Sequence, residues 1–268
     1  MGIGGNLMWT ALAREIYKKH KVKVLFINKE SIIFKDKVFD NNPYITYNIN
    51  EKHIKIKLGF KVMPERHSKK IWNVSQHTII SRCKHFNIMN PEVKCDLFFT
   101  DNEEKKIKKI LKLLPKEFIV IEPHAKIEWC QHKQYPLHKW QNIINQIKDK
   151  IPIVQMSIPG KKVLDNVIDI SKDIHNFREA CLLLKYSKLF ISTEGGLMHG
   201  CNAVNTKCMM IFCPMFDPIF TKYDNVIDIW VKDDKHYNCF KEGICNKCMD
   251  LMNNHNEQII IDKLLNYL

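Results

Sequence analysis

Two glycines set between two apolar runs limit the architecture of this chain more than any other feature. From Lys188 to Cys213 the sequence reads KLFISTEGGLMHGCNAVNTKCMMIFC. An apolar run at 189–191 is broken by Gly195-Gly196, residues 197–204 carry helical spacing, and a second apolar run covers 208–213. Strand, glycine turn, helix and strand make one compact βαβ unit. A glycine turn feeding a helix gathers unpaired backbone N–H groups and the positive end of the helix dipole, where an anion such as a diphosphate can sit. The same pattern also describes an ordinary crossover without a ligand, and spacing alone leaves both readings open.

Upstream of this unit the alternation continues. FIVIEP (118–123) reads as a buried strand, LHKWQNIINQIKD after Pro136 as a helix, and IPIVQMSI (151–158) as a strand closed by Pro159-Gly160. VIDI (167–170) and FREACLLLKYS (177–187) add a short strand and a helix. Alternating strands and helices predict a parallel sheet covered on both faces. Ligands of such sheets bind beyond the carboxyl ends of the strands, which is where Thr193–His199 falls.

The first 117 residues are less regular. A glycine-rich start, MGIGGNLMW, runs into TALAREIYKKH, with Leu7, Ala11, Ile16 and Tyr17 as inward positions of a helix, and VKVLFI (22–27) is a strand. The strand that precedes the glycine turn in a dinucleotide fold is missing, and Leu7 stands where the third glycine of the fingerprint belongs, which argues against NAD. Short strands are expected at 45–49, 54–58 and 96–99 and helices at 68–86 and 101–114, the latter ending at Pro115. A domain boundary is expected near 115–117, giving an N-terminal domain of 1–116 and a C-terminal domain of 117–268.

Charge divides at the same place. Residues 1–117 hold 24 Lys/Arg against 12 Asp/Glu, and residues 118–268 hold 18 against 17. A basic N-terminal half suits acidic partners such as nucleic acid, anionic headgroups or a phosphorylated glycan, unless a lysine-rich coding bias has simply filled solvated faces. It carries no recognised nucleic-acid motif and no stacking aromatic set, so no specific nucleic acid is expected. No apolar run approaches the ~20 residues of a membrane span and no signal segment opens the chain, so the expectation is a cytoplasmic protein, with peripheral contact at the inner face of an anionic membrane as its extension.

Ten cysteines in such a chain read as thiols or metal ligands rather than as a disulfide framework. His236, Cys239, Cys245 and Cys248 form H-x2-C-x5-C-x2-C. That spacing suits zinc, but only one C-x2-C knuckle is present, and free thiols or a disulfide remain open.

The segments IEPHAK and KQYPLHKW (within 121–140), Arg178-Glu179-Ala180, Glu194-Gly195-Gly196-Leu197-Met198-His199 and IFCPMFDP (211–218), with GIGGNLMWTALARE (2–15) as a fainter match, resemble the family 9 glycosyltransferases, the group that includes the bacterial heptosyltransferases. The resemblance implies an α/β fold of two Rossmann-like domains facing a cleft (GT-B type), here with a short N-terminal domain. It implies a nucleotide-sugar donor on the C-terminal side and an acceptor on the N-terminal side, an acidic glycan or glycolipid if the charge split is functional. Transfer would be inverting and independent of a metal or other cofactor. The backbone N–H groups of Gly195, Gly196 and Leu197 would hold the diphosphate beside Thr193, and Lys133 would add a charge to it unless it is a solvated loop lysine. Glu194 would contact the donor sugar or cap the following helix. His199 and His124 would face the ligand or be buried and hydrogen-bonded, and Trp140 is expected in the core. Gly4, Gly5 and Asn6 match the family's acceptor-side glycine turn. The family's aspartate directly after that turn, the usual general base, is replaced by Gly5 followed by Asn6, neither of which takes a proton. The rival reading is therefore a non-catalytic relative that binds nucleotide or glycan without transfer.

Overall fold

The computed structural model describes residues 2–58, 76–127, 130–241 and 243–268. The chain opens on helix α1 (Ile3–His20), followed by strand β1 (Lys23–Ile27), β2 (His53–Lys57) and helices α2 (Thr78–His85) and α3 (Asp101–Leu111). Then come β3 (Ile119–Glu122), α4 (Leu137–Ile147), β4 (Ile153–Gln155), β5 (Ile168–Asp169), α5 (Phe177–Leu184), β6 (Leu189–Thr193), α6 (Gly196–Ala203) and β7 (Cys208–Phe212). β8 (Val226–Trp230), α7 (Asn246–Asn254) and α8 (Gln258–Tyr267) complete the chain and add to the expected elements.

All ladders are parallel. β1 and β2 form a small sheet, and the large sheet runs β5-β4-β3-β6-β7-β8. The chain builds outward from β3 through β4 to β5, then returns to lay β6 on the other side of β3. That reversal makes the carboxyl ends of β3 and β6 the topological switch point, where connections leave in opposite directions.

Strand alternation divides the packing. Ile119, Ile121, Leu189, Ile191 and Met209 face the core closed by α4 and α8. Val120, Phe190, Cys208 and Met210 face the other core, which is continuous with Leu7 and Leu12 of α1 and Phe26 of β1. The two sheets therefore share one apolar core. α1 is buried almost all round from Gly4 to Ile16, including Arg14 and Glu15, and the guanidinium of Arg14 donates to the Asp96 carboxylate at 2.7 Å and the Lys94 carbonyl at 2.9 Å. A buried charge held this way by several acceptors avoids the full cost of leaving water.

Several expectations are corrected. Gly4, Gly5 and Asn6 lie within the first turns of α1, not in a turn before it. Glycine serves close helix packing there, since a Cβ on Gly4 would lie 2.4 Å from the His199 ring and 3.1 Å from the Gly196 Cα. Residues 96–99 join no ladder, and of 45–49 only Ile45 makes an isolated bridge, to Val24. An apolar run becomes a strand only when a neighbouring strand accepts its hydrogen bonds. Of the helix expected at 68–86, residues 68–75 lie outside the described residues and α2 covers Thr78–His85. The helix at 101 starts on a capping box: Thr100 accepts from the Glu103 N–H while the Glu103 carboxylate accepts from the Thr100 N–H.

Candidate functional site

The switch point gathers most of the residues singled out in the sequence. Thr193 ends β6 and is buried, and Glu194, Gly195 and Gly196 lead into α6. No side chain caps α6, so its first N–H groups have no side-chain acceptor, and the positive end of the helix dipole lies with them. Gly195 is extended, with open space where a Cβ would be apart from the Thr193 carbonyl at 3.7 Å. Gly196 has a different reason to be glycine: a Cβ there would meet the Ile3 side chain at 2.9 Å, so its bareness admits α1.

Glu194 does not cap α6. Its carboxylate accepts from the Lys133 ammonium, which a turn at Gln131–Lys133 brings across from the β3 side, and both side chains are largely buried. Lys133 is thus no solvated loop lysine. Burial pushes the Glu194 carboxyl up, but the charge and hydrogen bond of Lys133 outweigh it and hold the group below the usual carboxylate value. Burial likewise disfavours the Lys133 ammonium, and the opposing Glu194 charge more than restores it. The pair is an ionised clasp at the mouth of α6.

His199 takes the buried alternative. Its Nδ1 lies 2.6 Å from the Tyr223 hydroxyl, which also lies 3.2 Å from the Cys95 thiol, and loss of water lowers its pKa to about 3. A neutral imidazole wedged against Gly4 joins α6 to α1. His124 is partly exposed, with Nε2 2.8 Å from the Lys162 carbonyl. Trp140 is fully buried, as expected. Arg178 is structural: it donates to both Glu103 carboxylate oxygens and to the Lys37 carbonyl, tying α5 to α3 and to the segment after β1.

Two carboxylates escaped the sequence reading. Glu122 ends β3 in register with Ser192, on the Val120 side of the sheet, and its carboxylate has no hydrogen bond or ion pair among the described residues. Loss of water pushes its pKa up to about 8. Because the folded value stands above the ordinary one, the neutral form is favoured in the fold, and stability present at low pH is lost as pH rises through about 8. Glu122→Gln is accordingly expected to flatten the fall in melting temperature between about pH 5 and 8, measured by pH-resolved thermal unfolding; an unchanged slope would refute the assignment. A terminal acid in the run FIVIEP was the only local hint.

The second is Asp36. Asn6 donates to Asp36 Oδ2 at 2.7 Å, while Asp36 Oδ1 accepts from the Val38 N–H at 3.0 Å. A carboxylate therefore stands beside the side chain at the start of α1, supplied from 30 residues away. The neighbouring Gly5 carbonyl accepts from the buried Arg82 at 3.0 Å.

The basic character expected of the N-terminal half shows on α3, where Lys105, Lys108 and Lys109, with Lys112 just past its end, are exposed while Lys106 pairs with Glu179. No described helix is long and apolar enough to cross a membrane. All ten cysteines are free, and His236, Cys239, Cys245 and Cys248 converge near the C-terminus.

Comparison with known proteins bears on the same features. A family model described as glycosyltransferase family 9 (heptosyltransferase) matches residues 60–249. Among solved structures, a glycosyl transferase family 9 protein from Veillonella parvula superposes with a TM-score of 0.69 at 9% identity, covering 100% of this chain and 94% of its own. ADP-heptose lps heptosyltransferase II from E. coli gives 0.62 at 11% identity, with 99% and 95% coverage. The dodecameric iron-containing heptosyltransferase TibC, in complex with ADP-D-beta-D-heptose, gives 0.66 at 13% identity, with 99% and 74% coverage; the related TibC structure is from enterotoxigenic E. coli. A search of curated proteins finds no match. At these identities the superpositions speak for the fold, which is α/β with parallel sheets and of the GT-B type.

Proposed function

The chain belongs to glycosyltransferase family 9, and from that premise we propose that it moves a sugar from a nucleotide-diphosphate donor to a glycan or lipid-linked acceptor, with inversion and without a metal at the reacting centre. The observation that carries the reading is the Lys133–Glu194 clasp at the uncapped start of α6, set at the switch point of the large sheet. An incoming diphosphate offers Lys133 a stronger partner than one carboxylate, and the N–H groups of Gly195, Gly196 and Leu197 supply further donors. Glu194, released from the lysine, is then free to accept from a hydroxyl of the donor sugar. Charge developing on the leaving diphosphate is stabilised by groups already in place, which is the main electrostatic contribution such a site makes.

Deprotonation of the acceptor needs a base on the opposite side. Asp36 takes that role in this reading, because Asn6 holds it at the start of α1, two residues from the Gly4 that packs on α6. Residues 1–116 are then the acceptor side and 117–268 the donor side, and the exposed lysines of α3 belong to the acceptor side, where they suit an acidic glycan or glycolipid. Because the TibC complex holds ADP-heptose, ADP and ADP-heptose are the first ligands to test.

Millimolar ADP or ADP-heptose is expected to raise the melting temperature by several degrees, as binding to the native state alone requires. Absence of a shift with either ligand, and with other nucleoside diphosphates, would end the donor-site reading. A shift without any acceptor-dependent ADP release would favour the non-catalytic rival.

A further inference from the structure

We propose that His236, Cys239, Cys245 and Cys248 bind one thiophilic transition-metal ion, zinc or iron, and that this ion clamps the 236–248 segment against the turn that carries Lys133. The metal site stands on its own residues; its coupling to Lys133 rests on the donor-site reading above.

The four donor atoms all lie within 4.8 Å of one another. His236 Nε2 is 3.1 Å from Cys248 Sγ and 3.6 Å from Cys245 Sγ, and Cys239 Sγ is 3.2 Å from Cys248 Sγ. A tetrahedral ion with sulfur at about 2.3 Å and nitrogen at about 2.0 Å sets its ligands roughly 3.4–3.8 Å apart. The cluster is already near that size, and three sulfurs with one imidazole form a set that zinc and iron share. Each thiol ligates as thiolate and gives its proton to solvent.

The backbone around the cluster is what an ion would hold. Between Val231 and Asn246 there is no helix or ladder among the described residues, only the isolated bridge at Gly243. Asn238 and Phe240 are left-handed at φ 51° and 50°, a conformation unfavourable for a bulky side chain such as Phe240. Cys245 and Cys248 are nonetheless buried at the start of α7. Bonds to a central ion supply the order that regular secondary structure does not.

The segment is stitched to the donor side. Gly243 bridges to Cys130, and the Cys239 and Phe240 N–H groups donate to the carbonyls of Pro214 and Met215 at 3.4 and 3.2 Å. α7 packs on the Gln131–Lys133 turn, whose Lys133 N–H donates to the Cys130 carbonyl at 3.3 Å. The path from ion to clasp is thus four ligands, one bridge, one turn and the Lys133 side chain.

The chain purified without added metal is expected to carry about one equivalent of zinc or iron by elemental analysis, which also tells the two apart. Cobalt(II) exchanged into the site should give the visible bands of tetrahedral thiolate coordination. Stripping the ion from the wild-type chain with a chelator should weaken ADP binding about tenfold or more and lower the melting temperature, with both restored by re-addition of the metal. Cys239→Ser, at the most exposed cysteine ligand, should lower metal content without abolishing the fold. Less than about a tenth of an equivalent in the wild type, or a disulfide within the cluster by mass spectrometry, overturns the site. Unchanged ADP affinity on stripping overturns the coupling. If the metal-loaded chain binds no nucleotide, the donor-site reading and the coupling both fail, and elemental analysis decides the metal site alone.

Discussion

Asp36→Asn is expected to lower acceptor-dependent ADP release from ADP-heptose by about 10²- to 10⁴-fold, the range removed with a general base, and to leave ADP affinity unchanged. The asparagine keeps the size of the side chain, still accepts from the Val38 N–H through its carbonyl, and loses the proton affinity. The separation of turnover from binding is the decisive feature, because a merely structural Asp36 would weaken both together. An Asp36→Asn chain with wild-type turnover would return the question to Glu122, whose carboxylate has no hydrogen bond or ion pair among the described residues. Asn6→Asp supplies a second check: a carboxylate restored at the start of α1 should rescue part of the activity lost in Asp36→Asn.

Lys133→Met is expected to reduce ADP affinity by about 10- to 100-fold, the loss of one charge-assisted phosphate contact worth roughly 1.5–3 kcal/mol. It should also destabilise the chain, because Glu194 is left partly buried without its counter-charge, and removing one partner of such a pair costs more than the pair is worth. The double variant Lys133→Met/Glu194→Gln separates the effects. Its melting temperature should recover toward that of the wild type, since both charges are gone, while ADP affinity stays low. Recovery of affinity along with stability in the double variant would mean that the clasp is only structural. Isothermal titration with ADP beside thermal unfolding reads both quantities.

The sequence was most legible where interactions are local. The apolar runs at 189–191 and 208–213 and the glycine pair between them locate β6, α6 and β7 to within about two residues, since burial of the strands and the turn are both written in adjacent positions. The H-x2-C-x5-C-x2-C spacing likewise anticipated a convergence that the fold makes real. Residues 96–99 were misread because ladder formation depends on a distant partner, and α8 was missed although QIIIDKLLNY carries helical spacing. The site itself is written mostly in contacts that no local window contains. Lys133 meets Glu194 across 61 residues and Asn6 meets Asp36 across 30. The replacement of the family's aspartate was visible in the sequence; the carboxylate beside it was not.

The buried seam between α1 and α6 also bears on how the protein melts. With Leu7, Phe26, Phe190 and Met210 in one core and His199 seated against Gly4, the small sheet and the α1-facing side of the large sheet each lose their cover once the other is gone. Cooperativity should then extend across the position where charge divides the chain, so that residues 1–116 and 117–268 unfold in one transition rather than two.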